Sequence, residues 1–295
     1  MAMVEKKSPA RILFLILNTI LMVLIAFVCF VPIWHVIMAS ISDPGLVDKN
    51  TGLILFPLGK VSINGYKYVL SYNNVWIGYR NTIFYVVAQC LITGVLTVVA
   101  GYILSRKRFQ FRGILMGIIS FTMLFNGGMI PTYMVVRDLH MLDTRWAMLI
   151  PSALNVFYII IMRTSIQTIP DSLEESATID GAGELTIMFK IILPLSKATF
   201  AVILLFIAVA KWNEWFPALL YLSDNSRYPL QMFLRDILIK QTDFTSSSDA
   251  LDQTQLYKVL VKYCVIVVST LPILCVYPFV QKYFVTGVMI GSVKG

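Results

Sequence analysis

Residues 82–104 read TIFYVVAQCLITGVLTVVAGYIL, an apolar run without a charged residue. A helix that crosses the hydrocarbon core of a bilayer needs about 20 such residues. The run is apolar throughout, whereas a membrane β-strand alternates between apolar and polar residues. Because backbone groups in lipid must be hydrogen-bonded within the structure, we predict that this stretch is a transmembrane helix.

The rest of the chain has the composition of a protein that crosses the membrane several times. Of its 295 residues, 58% are hydrophobic and 14% are charged, whereas a soluble domain has roughly 45–50% apolar and about 25% charged residues. This excludes a soluble enzyme, a disordered chain and a secreted disulfide scaffold. We predict an all-α polytopic membrane protein, a single transmembrane domain over residues 1–295 with six transmembrane helices. The spans are expected at about residues 12–39, 82–104, 114–135, 146–167, 199–222 and 259–279.

Basic residues determine the predicted orientation of these spans. The link between the second and third spans, SRKRFQFRG at residues 105–113, carries four basic residues and no acid, and the N-terminal tail adds Lys6, Lys7 and Arg11. By the positive-inside rule, both termini and this link are expected in the cytoplasm. The connections at about 40–81, 136–145 and 223–258 are then outside. The net charge of +8 therefore indicates membrane topology, and no nucleic-acid partner is expected.

The remaining cytoplasmic connection, about residues 168–197, contains IPDSLEESATIDGAGELTIMFKIILPL at positions 169–195. Pro170 disfavours a helix at the residue before it. Ser172 and Glu175 have the spacing of a capping box, which predicts a helix that begins near Ser172. Gly181 can adopt a positive φ and is expected to end that helix in a tight turn. A second helix is predicted over about 184–192, where Pro194 ends it.

This loop resembles the cytoplasmic signature of binding-protein-dependent ABC importer permeases. The signature is Glu-x-Ala, three residues, Gly, nine residues and Ile-x-Leu-Pro, and Ser176 stands here where the family has its central alanine. The residues in register with the signature are Glu175, Ala177, Gly181, Ile191, Leu193 and Pro194.

Four other stretches are similar to the carbohydrate-uptake branch of that family, in particular to LplC-type permeases and the related maltose permease. They are FNGGMIPTY at 125–133, IMR at 161–163, WNEWFP at 212–217 and GVMIGSVKG at 287–295. The resemblance therefore covers most of the chain. In the maltose-type branch the C-terminal tail enters the ATPase interface; the alternative for residues 287–295 is a frayed end.

The resemblance implies a type I ABC importer permease fold in a bacterial cytoplasmic membrane. It implies uptake of oligosaccharides or polysaccharide fragments. The expected partners are membrane lipid, a second homologous permease that forms a heterodimer, a cytoplasmic ATPase dimer that holds ATP and Mg²⁺, and an extracellular or periplasmic sugar-binding protein. The loop would be the coupling helix–turn–helix that sits in a cleft of the ATPase. The ATPase-coupling residues would be Glu175, Ser176, Ala177, Asp180, Gly181, Ala182 and Gly183.

Local structure alone offers a simpler role for two of these residues, since Glu175 could be only a helix cap and Gly181 only a turn. The chain has no Gly-x-x-x-x-Gly-Lys-Ser/Thr motif, so it is not expected to bind ATP through a P-loop. It also has no nucleophile–base pair and no metal-ligand cluster in its sequence. We therefore expect no catalytic residue, metal or cofactor in this subunit.

A sugar pathway needs aromatic faces for the C–H side of a ring, and amides or carboxylates for its hydroxyls. The candidates on these grounds are Asn126, Tyr133, Asn155, Tyr158, Trp212, Asn213, Glu214 and Trp215. Glu214 is costly inside a membrane unless it faces a partner or a wet cavity. Lys211 stands three residues before it, so Glu214 either lines the pathway or completes an ion pair.

The third span carries a possible break at Asn126, Gly127 and Gly128, followed by Pro131. Such a sequence allows a membrane helix to unwind beside a cavity, or it allows close packing of a neighbouring helix. Two other functions remain open: an ion-coupled secondary transporter, and a permease of the same class for a solute other than sugar. A secondary transporter would usually need inverted repeats and more intramembrane ionisable residues.

Overall fold

The computed structural model describes residues 8–240 and 259–275, and in these ranges its regular secondary structure is helical. The predicted all-α class is therefore confirmed. Apart from a 3₁₀ turn at Asn225–Arg227, the helices are α1 (Pro9–Ser40), α2 (Pro44–Lys49), α3 (Asn64–Ser71), α4 (Asn73–Ser105), α5 (Arg112–Leu124), α6 (Met129–Asp138), α7 (Arg145–Leu149), α8 (Val156–Ile166), α9 (Asp171–Ile179), α10 (Glu184–Leu195), α11 (Lys197–Trp212), α12 (Phe216–Tyr221), α13 (Leu230–Lys240) and α14 (Val259–Cys275).

Each of the six predicted spans contains an apolar helix, but the spans differ in continuity. By length and hydropathy, α1 and α4 can each cross a membrane alone. The pairs α5–α6 and α10–α11 meet the same test only when each pair is taken as one span, and they are bent by 114° and 85°. α8 and α14 are apolar but shorter. The end of the predicted sixth span, residues 276–279, lies outside the described residues.

The third span is broken at the predicted place, between Leu124 and Met129. Gly128 has φ +90°, and its N–H donates to the Asn126 side-chain oxygen at 2.8 Å. Among the described residues, a Cβ on Gly128 would meet no atom within 4 Å, and one on Gly127 would meet only Pro131, at 3.9 Å. Within this part of the chain, backbone conformation and not close packing of another helix therefore explains the glycine at Gly128.

The fourth and fifth predicted spans, at 146–167 and 199–222, are also interrupted, each by a short break between two helices. In the fourth, α7 ends before Pro151, and α8 begins after Asn155, whose side-chain oxygen accepts the Phe157 N–H at 3.0 Å. In the fifth, α11 ends at Trp212, and α12 carries Pro217 in its first turn. Proline and a capping asparagine both favour helix termini, which outweighs the apolar character of the surrounding residues.

The second span begins nine residues earlier than predicted, at Asn73 instead of Thr82. The polar side chains near its start hold the chain that follows α12. Asn81 Nδ2 donates to the Ser226 carbonyl at 2.7 Å, and the Tyr85 hydroxyl donates to the Arg227 carbonyl at 2.9 Å. The Thr82 hydroxyl accepts the Leu230 N–H at 2.8 Å. Residues 226–230 of the predicted outer loop at 223–258 are thus hydrogen-bonded to α4.

The chain divides into two compact units, formed by the described parts of Met1–Ser71 with Leu238–Thr270 and of Tyr72–Ile237 with Leu271–Gly295. In the first unit, the apolar stretch of α1 is exposed, and only Met38, Ala39 and Ser40 of this helix are buried. In the second unit, α4 and α8 approach closely, since a Cβ on Gly101 would lie 3.0 Å from Met162 Cγ. The proposed single domain over 1–295 stays a prediction.

Candidate functional site

Helix α9 is the first helix of the connection between the fourth and fifth spans. It begins at Asp171, one residue before the predicted start, and Pro170 occupies its N-cap position. No side chain caps it, so the predicted capping box of Ser172 and Glu175 is wrong. Asp171 and Glu174 lie in the first turn instead, where carboxylates are stabilised by the positive end of the helix dipole.

The end of α9 is a Schellman turn centred on Gly181. Gly181 has φ +82°, its N–H donates to the Thr178 carbonyl at 3.0 Å, and the Ala182 N–H donates to the Ala177 carbonyl at 2.9 Å. These two hydrogen bonds satisfy carbonyls that the helix itself leaves free. The predicted turn at Gly181 is confirmed. A Cβ there would meet no described residue within 4 Å, and the positive φ is the feature of this part of the chain that favours glycine.

The chain then continues as α10, which does not end at Pro194 as predicted. It has a π-helical centre at Ile187–Ile192 and an α-helical end at Leu193–Leu195. Pro194 lies in the first turn of that α-helical end, where a missing N–H is tolerated. The bend into α11 follows at Ser196.

One face of α9 is anchored in the core of the second unit. Ala177, only 9% exposed, belongs to a buried cluster with Met162 of α8, Ile187 of α10 and Ile203 of α11, and Ala182 packs against the same cluster. A small residue at position 177 lets the helix lie close to these side chains. The anchoring connects α9 mechanically to helices of two spans.

The opposite face of α9 is exposed. Glu175, Ser176, Asp180 and Gly183 all lie on the surface, and Ile179 is 86% exposed. Within the described ranges, the Glu175 carboxylate forms no ion pair and no hydrogen bond. Both the acidic side chain of Glu175 and the apolar side chain of Ile179 are therefore accessible to another protein on this face of α9.

The acidic residues on the side of α9 and α10 are paired with the basic link between α4 and α5. Arg106 forms an ion pair with Glu174, and their side chains are only 12% and 13% exposed. Arg108 pairs with Glu184 and lies 3.7 Å from Glu174. Lys107 Nζ pairs with Asp171 at 2.8 Å. Together these pairs form an ion cluster of residues 106–108 with Asp171, Glu174 and Glu184.

Tyr102 connects the ion cluster to the body of α4. Its buried hydroxyl donates to Glu184 at 2.8 Å, and the Arg106 guanidinium lies 4.3 Å from its ring centroid. The hydrogen bond from Lys107 lowers the pKa of Asp171, and burial lowers the pKa of Arg106. This cluster was not predicted from the sequence, although a basic and an acidic loop on the same predicted side were a signal for it.

A second polar cluster joins the breaks of the fourth and fifth spans. Lys211, whose side chain is 4% exposed, lies 2.6 Å from Glu214 Oε2, so the predicted ion pair is present. Its ammonium also donates to the Met148 carbonyl at 2.7 Å and to the Ser152 hydroxyl at 3.1 Å. Gln89 Nε2 of α4 donates to the Ser152 carbonyl at 2.9 Å. The Lys211 network thus stabilises carbonyls that the helix ends leave unpaired.

The asparagines among the pathway candidates have local partners. Asn126 closes the turn onto Gly128, Asn155 caps α8, and Asn213 Nδ2 donates to the Val209 carbonyl at 2.8 Å. Each arrangement stabilises a helix end. A role of these residues in the pathway stays a prediction.

The aromatic candidates have ring partners in the second unit. Tyr133 stacks on Tyr221 with centroids 6.2 Å apart, and Tyr158 stacks on Phe206 at 6.5 Å. The Trp212 ring lies 6.2 Å from the Tyr79 ring, and the Arg235 guanidinium lies 4.9 Å from the centroid of the Trp215 ring. The motif at 212–215 therefore occupies a helix break, with Glu214 connected through Lys211 to the break of the fourth span.

Among the described residues, no group of three or more His, Cys, Asp or Glu side chains is placed to hold a metal ion. The predictions for the tail at 287–295 and for Lys6 and Lys7 concern residues outside the described ranges. The expected absence of a cofactor in this subunit stays a prediction.

Comparison with known proteins gives a family match over residues 97–290, to the binding-protein-dependent transport system inner membrane component. Among curated relatives, the polygalacturonan/rhamnogalacturonan transport system permease protein YtcP of Bacillus subtilis is 41% identical, over 93% of this chain and 96% of its own length. Protein LplC of the same species is 39% identical, over 91% of this chain and 90% of its own.

A solved structure has the same fold. It is a crystal structure of a bacterial ABC transporter involved in the import of the acidic polysaccharide alginate, and the matched chain is 34% identical with a TM-score of 0.84. The match covers 94% of this chain and 98% of that chain. The family match at 97–290 spans the residues of the ion cluster, and it spans Lys211, Glu214, Met148 and Ser152 of the Lys211 network.

Proposed function

The chain belongs to the family of binding-protein-dependent transport system inner membrane components, and on this premise we propose that it is the permease subunit of an ATP-driven importer of oligosaccharides or polysaccharide fragments. The family is a transport permease component, which is consistent with the proposal that this subunit is not an enzyme. The proposed partners are a second permease, a cytoplasmic ATPase dimer that binds ATP and Mg²⁺, and a sugar-binding protein outside the membrane.

The observation that carries this proposal is the geometry of α9. The helix is anchored on one side through Ala177 and stops at a turn that favours glycine. On the other side it exposes Glu175 and Ile179 with no partner from the described chain. A short helix that is packed against the core on one face and exposed on the other is suited to dock in a cleft of the ATPase. The coupling residues would be Glu175, Ser176, Ala177, Asp180, Gly181, Ala182 and Gly183.

The ion cluster supports the proposed orientation. Because residues 106–108 pair with α9 and α10, the basic link and the 168–197 connection lie together. With six spans, these two loops must lie on the same side of the membrane. We place both of them, with both termini, in the cytoplasm of a bacterial cell.

In the proposed mechanism, ATP closes the ATPase dimer and displaces α9 as a rigid lever. The displacement reaches α8 and α11 through the Ala177 cluster, and α4 through Arg106, Glu174 and Tyr102. These helices rearrange between an inward-facing and an outward-facing state. The free energy comes from hydrolysis in the partner, and this chain couples it to substrate movement.

For the substrate, we propose a fragment of an acidic polysaccharide as the first class to test. This is supported by the alginate transporter that shares the fold and by the polygalacturonan relative. In reconstituted complexes, an acidic oligosaccharide with its binding protein should stimulate ATP hydrolysis more than a neutral one of equal length. Stimulation by neutral sugars alone, or by a solute that is not a sugar, would assign another substrate within the same class of permease.

Coupling is tested by placing a photo-reactive residue at Glu175 in the full-length chain in its native membrane. The ATPase should crosslink from Glu175. The control position is Leu139, which is 61% exposed and lies in a predicted outer loop. No crosslink to an ATPase from Glu175, or uptake driven by an ion gradient without ATP, would refute the proposal and favour a secondary transporter.

A further inference from the structure

A groove of about 510 Å³ lies in the second unit, where α5 begins beside the end of α8. Lys107, Arg112 and Arg163 line it, and none of its lining residues is acidic. The rest of the lining includes Gly113, Met116 and Gly117 of α5. Because Lys107 belongs to both features, the groove lies on the same side of the spans as the ion cluster.

Two of the three cations lack an acidic partner in the described chain. Lys107 is paired with Asp171 at 2.8 Å. Arg163 uses its Nε to donate to the Leu104 carbonyl at 3.0 Å, and no carboxylate among the described residues pairs with it. The half-buried Arg112 side chain makes no ion pair or hydrogen bond within these residues. Two guanidinium groups without counter-charges favour an anion, and their planar forks match a phosphate group.

The side of the groove formed by α5 can accommodate an apolar chain. Gly113 and Gly117 lie one turn apart on α5, and a Cβ on either would meet no atom of residues 8–240 or 259–275 within 4 Å. Beside them, Ile114 and Ile118 are 64% and 56% exposed, as expected of a helix surface in contact with lipid. A free phosphate ion would use the cations but not this open apolar strip.

We propose that the groove binds an anionic phospholipid, with its phosphodiester at Arg112 and Arg163 and an acyl chain along Gly113, Met116 and Gly117. In the proposed orientation, these arginines lie at the headgroup level of the cytoplasmic leaflet, where anionic lipids attract basic residues. The lipid would fix the start of α5 next to α8. This binding does not depend on which solute the protein transports.

The experiment measures lipid binding to the full-length chain, purified in mild detergent with its co-purifying subunits, by native mass spectrometry. The probes are dioleoyl phosphatidylglycerol, dioleoyl phosphatidylcholine, glycerol 3-phosphate and inorganic phosphate. Phosphatidylglycerol should be retained in preference to phosphatidylcholine. Neither soluble phosphate compound should displace it at millimolar concentration, because each lacks the acyl chains.

Variants assign the binding to this groove. Arg112→Gln should lower the affinity for phosphatidylglycerol about five-fold, the effect of removing one cation next to an anionic lipid. Arg112→Lys should retain most of it. Gly117→Leu should weaken retention of the lipid by filling the strip, and it tests the site without changing charge. The matched control is Arg137→Gln, since Arg137 is exposed and paired with Asp138.

Three results would overturn the proposal. Equal retention of the two lipids would show that the groove does not select charge. Displacement by inorganic phosphate would identify a site for free anions. An equal loss of phosphatidylglycerol in Arg137→Gln and Arg112→Gln would show a general surface effect. If Arg112→Gln does not accumulate in membranes, Arg112→Lys and Gly117→Leu decide the question alone.

Discussion

The two carboxylates in the first turn of α9 should contribute very differently to stability. Glu174 and Arg106 have side chains that are 13% and 12% exposed, whereas Asp171 and Lys107 are 57% and 79% exposed. Removing one member of a nearly buried pair leaves the other charge without compensation, and two buried nitrogens of Arg106 already have no hydrogen-bond partner among the described residues. We expect Glu174→Gln to lower the free energy of unfolding by about 2–3 kcal/mol.

Asp171→Asn is the matched control, since it removes the same charge from the same helix turn. Exposed ion pairs contribute little because water and salt screen them, so this variant should unfold near the wild-type temperature. The assay is the thermal unfolding midpoint of the full-length protein in detergent, at low and at high salt. High salt should reduce the small shift of the midpoint caused by Asp171→Asn, and it should leave the shift caused by Glu174→Gln unchanged.

A double variant tests whether the large effect belongs to the pair. Arg106→Gln combined with Glu174→Gln should be less destabilised than the sum of the two single variants, because no uncompensated charge remains. The reasoning is refuted if Asp171→Asn destabilises the protein as much as Glu174→Gln. It is also refuted if the double variant shows simple additivity.

Three further predictions concern other parts of the second unit. Gly181→Ala should cost about 1–2 kcal/mol and reduce transport per ATP hydrolysed, because Gly181 has φ +82°. Gly183→Ala is its control, with φ −77°; equal loss in both variants would contradict the role of the turn. Lys211→Met should lower the thermal midpoint strongly, because it leaves Glu214 unpaired, and adding Glu214→Met should recover much of the loss; no recovery would argue against the ion pair. Backbone hydrogen bonds lower the pKa of Asp143, so its stabilising contribution should be present above pH about 4 and disappear as the pH falls through its folded pKa. A thermal midpoint of Asp143→Asn with the same pH dependence as wild type would exclude this.

The sequence predicted the fold class and the six apolar regions because a bilayer imposes a local requirement. A span needs about 20 apolar residues whatever surrounds it, so hydropathy alone locates α1 and the body of α4. The turn at Gly181 was also predictable, since a positive φ after a helix favours glycine wherever the helix lies. Likewise, Lys211 and Glu214 are three residues apart in sequence, and their ion pair was expected on that spacing.

Other features needed the tertiary structure. The capping box of Ser172 and Glu175 has the right spacing but is absent, because α9 already begins at Asp171 with Pro170 at its N-cap. The first-turn carboxylate of Glu174 pairs instead with Arg106 from another loop. Asn155 and Pro151 interrupt an apolar run that hydropathy treats as continuous. Ala177 is buried and Glu175 exposed because of where α8, α10 and α11 pack. Local conformational preferences and the tendency of a segment to enter lipid depend on neighbouring residues and can be predicted from the sequence. Contacts between distant residues decide which of those preferences are satisfied.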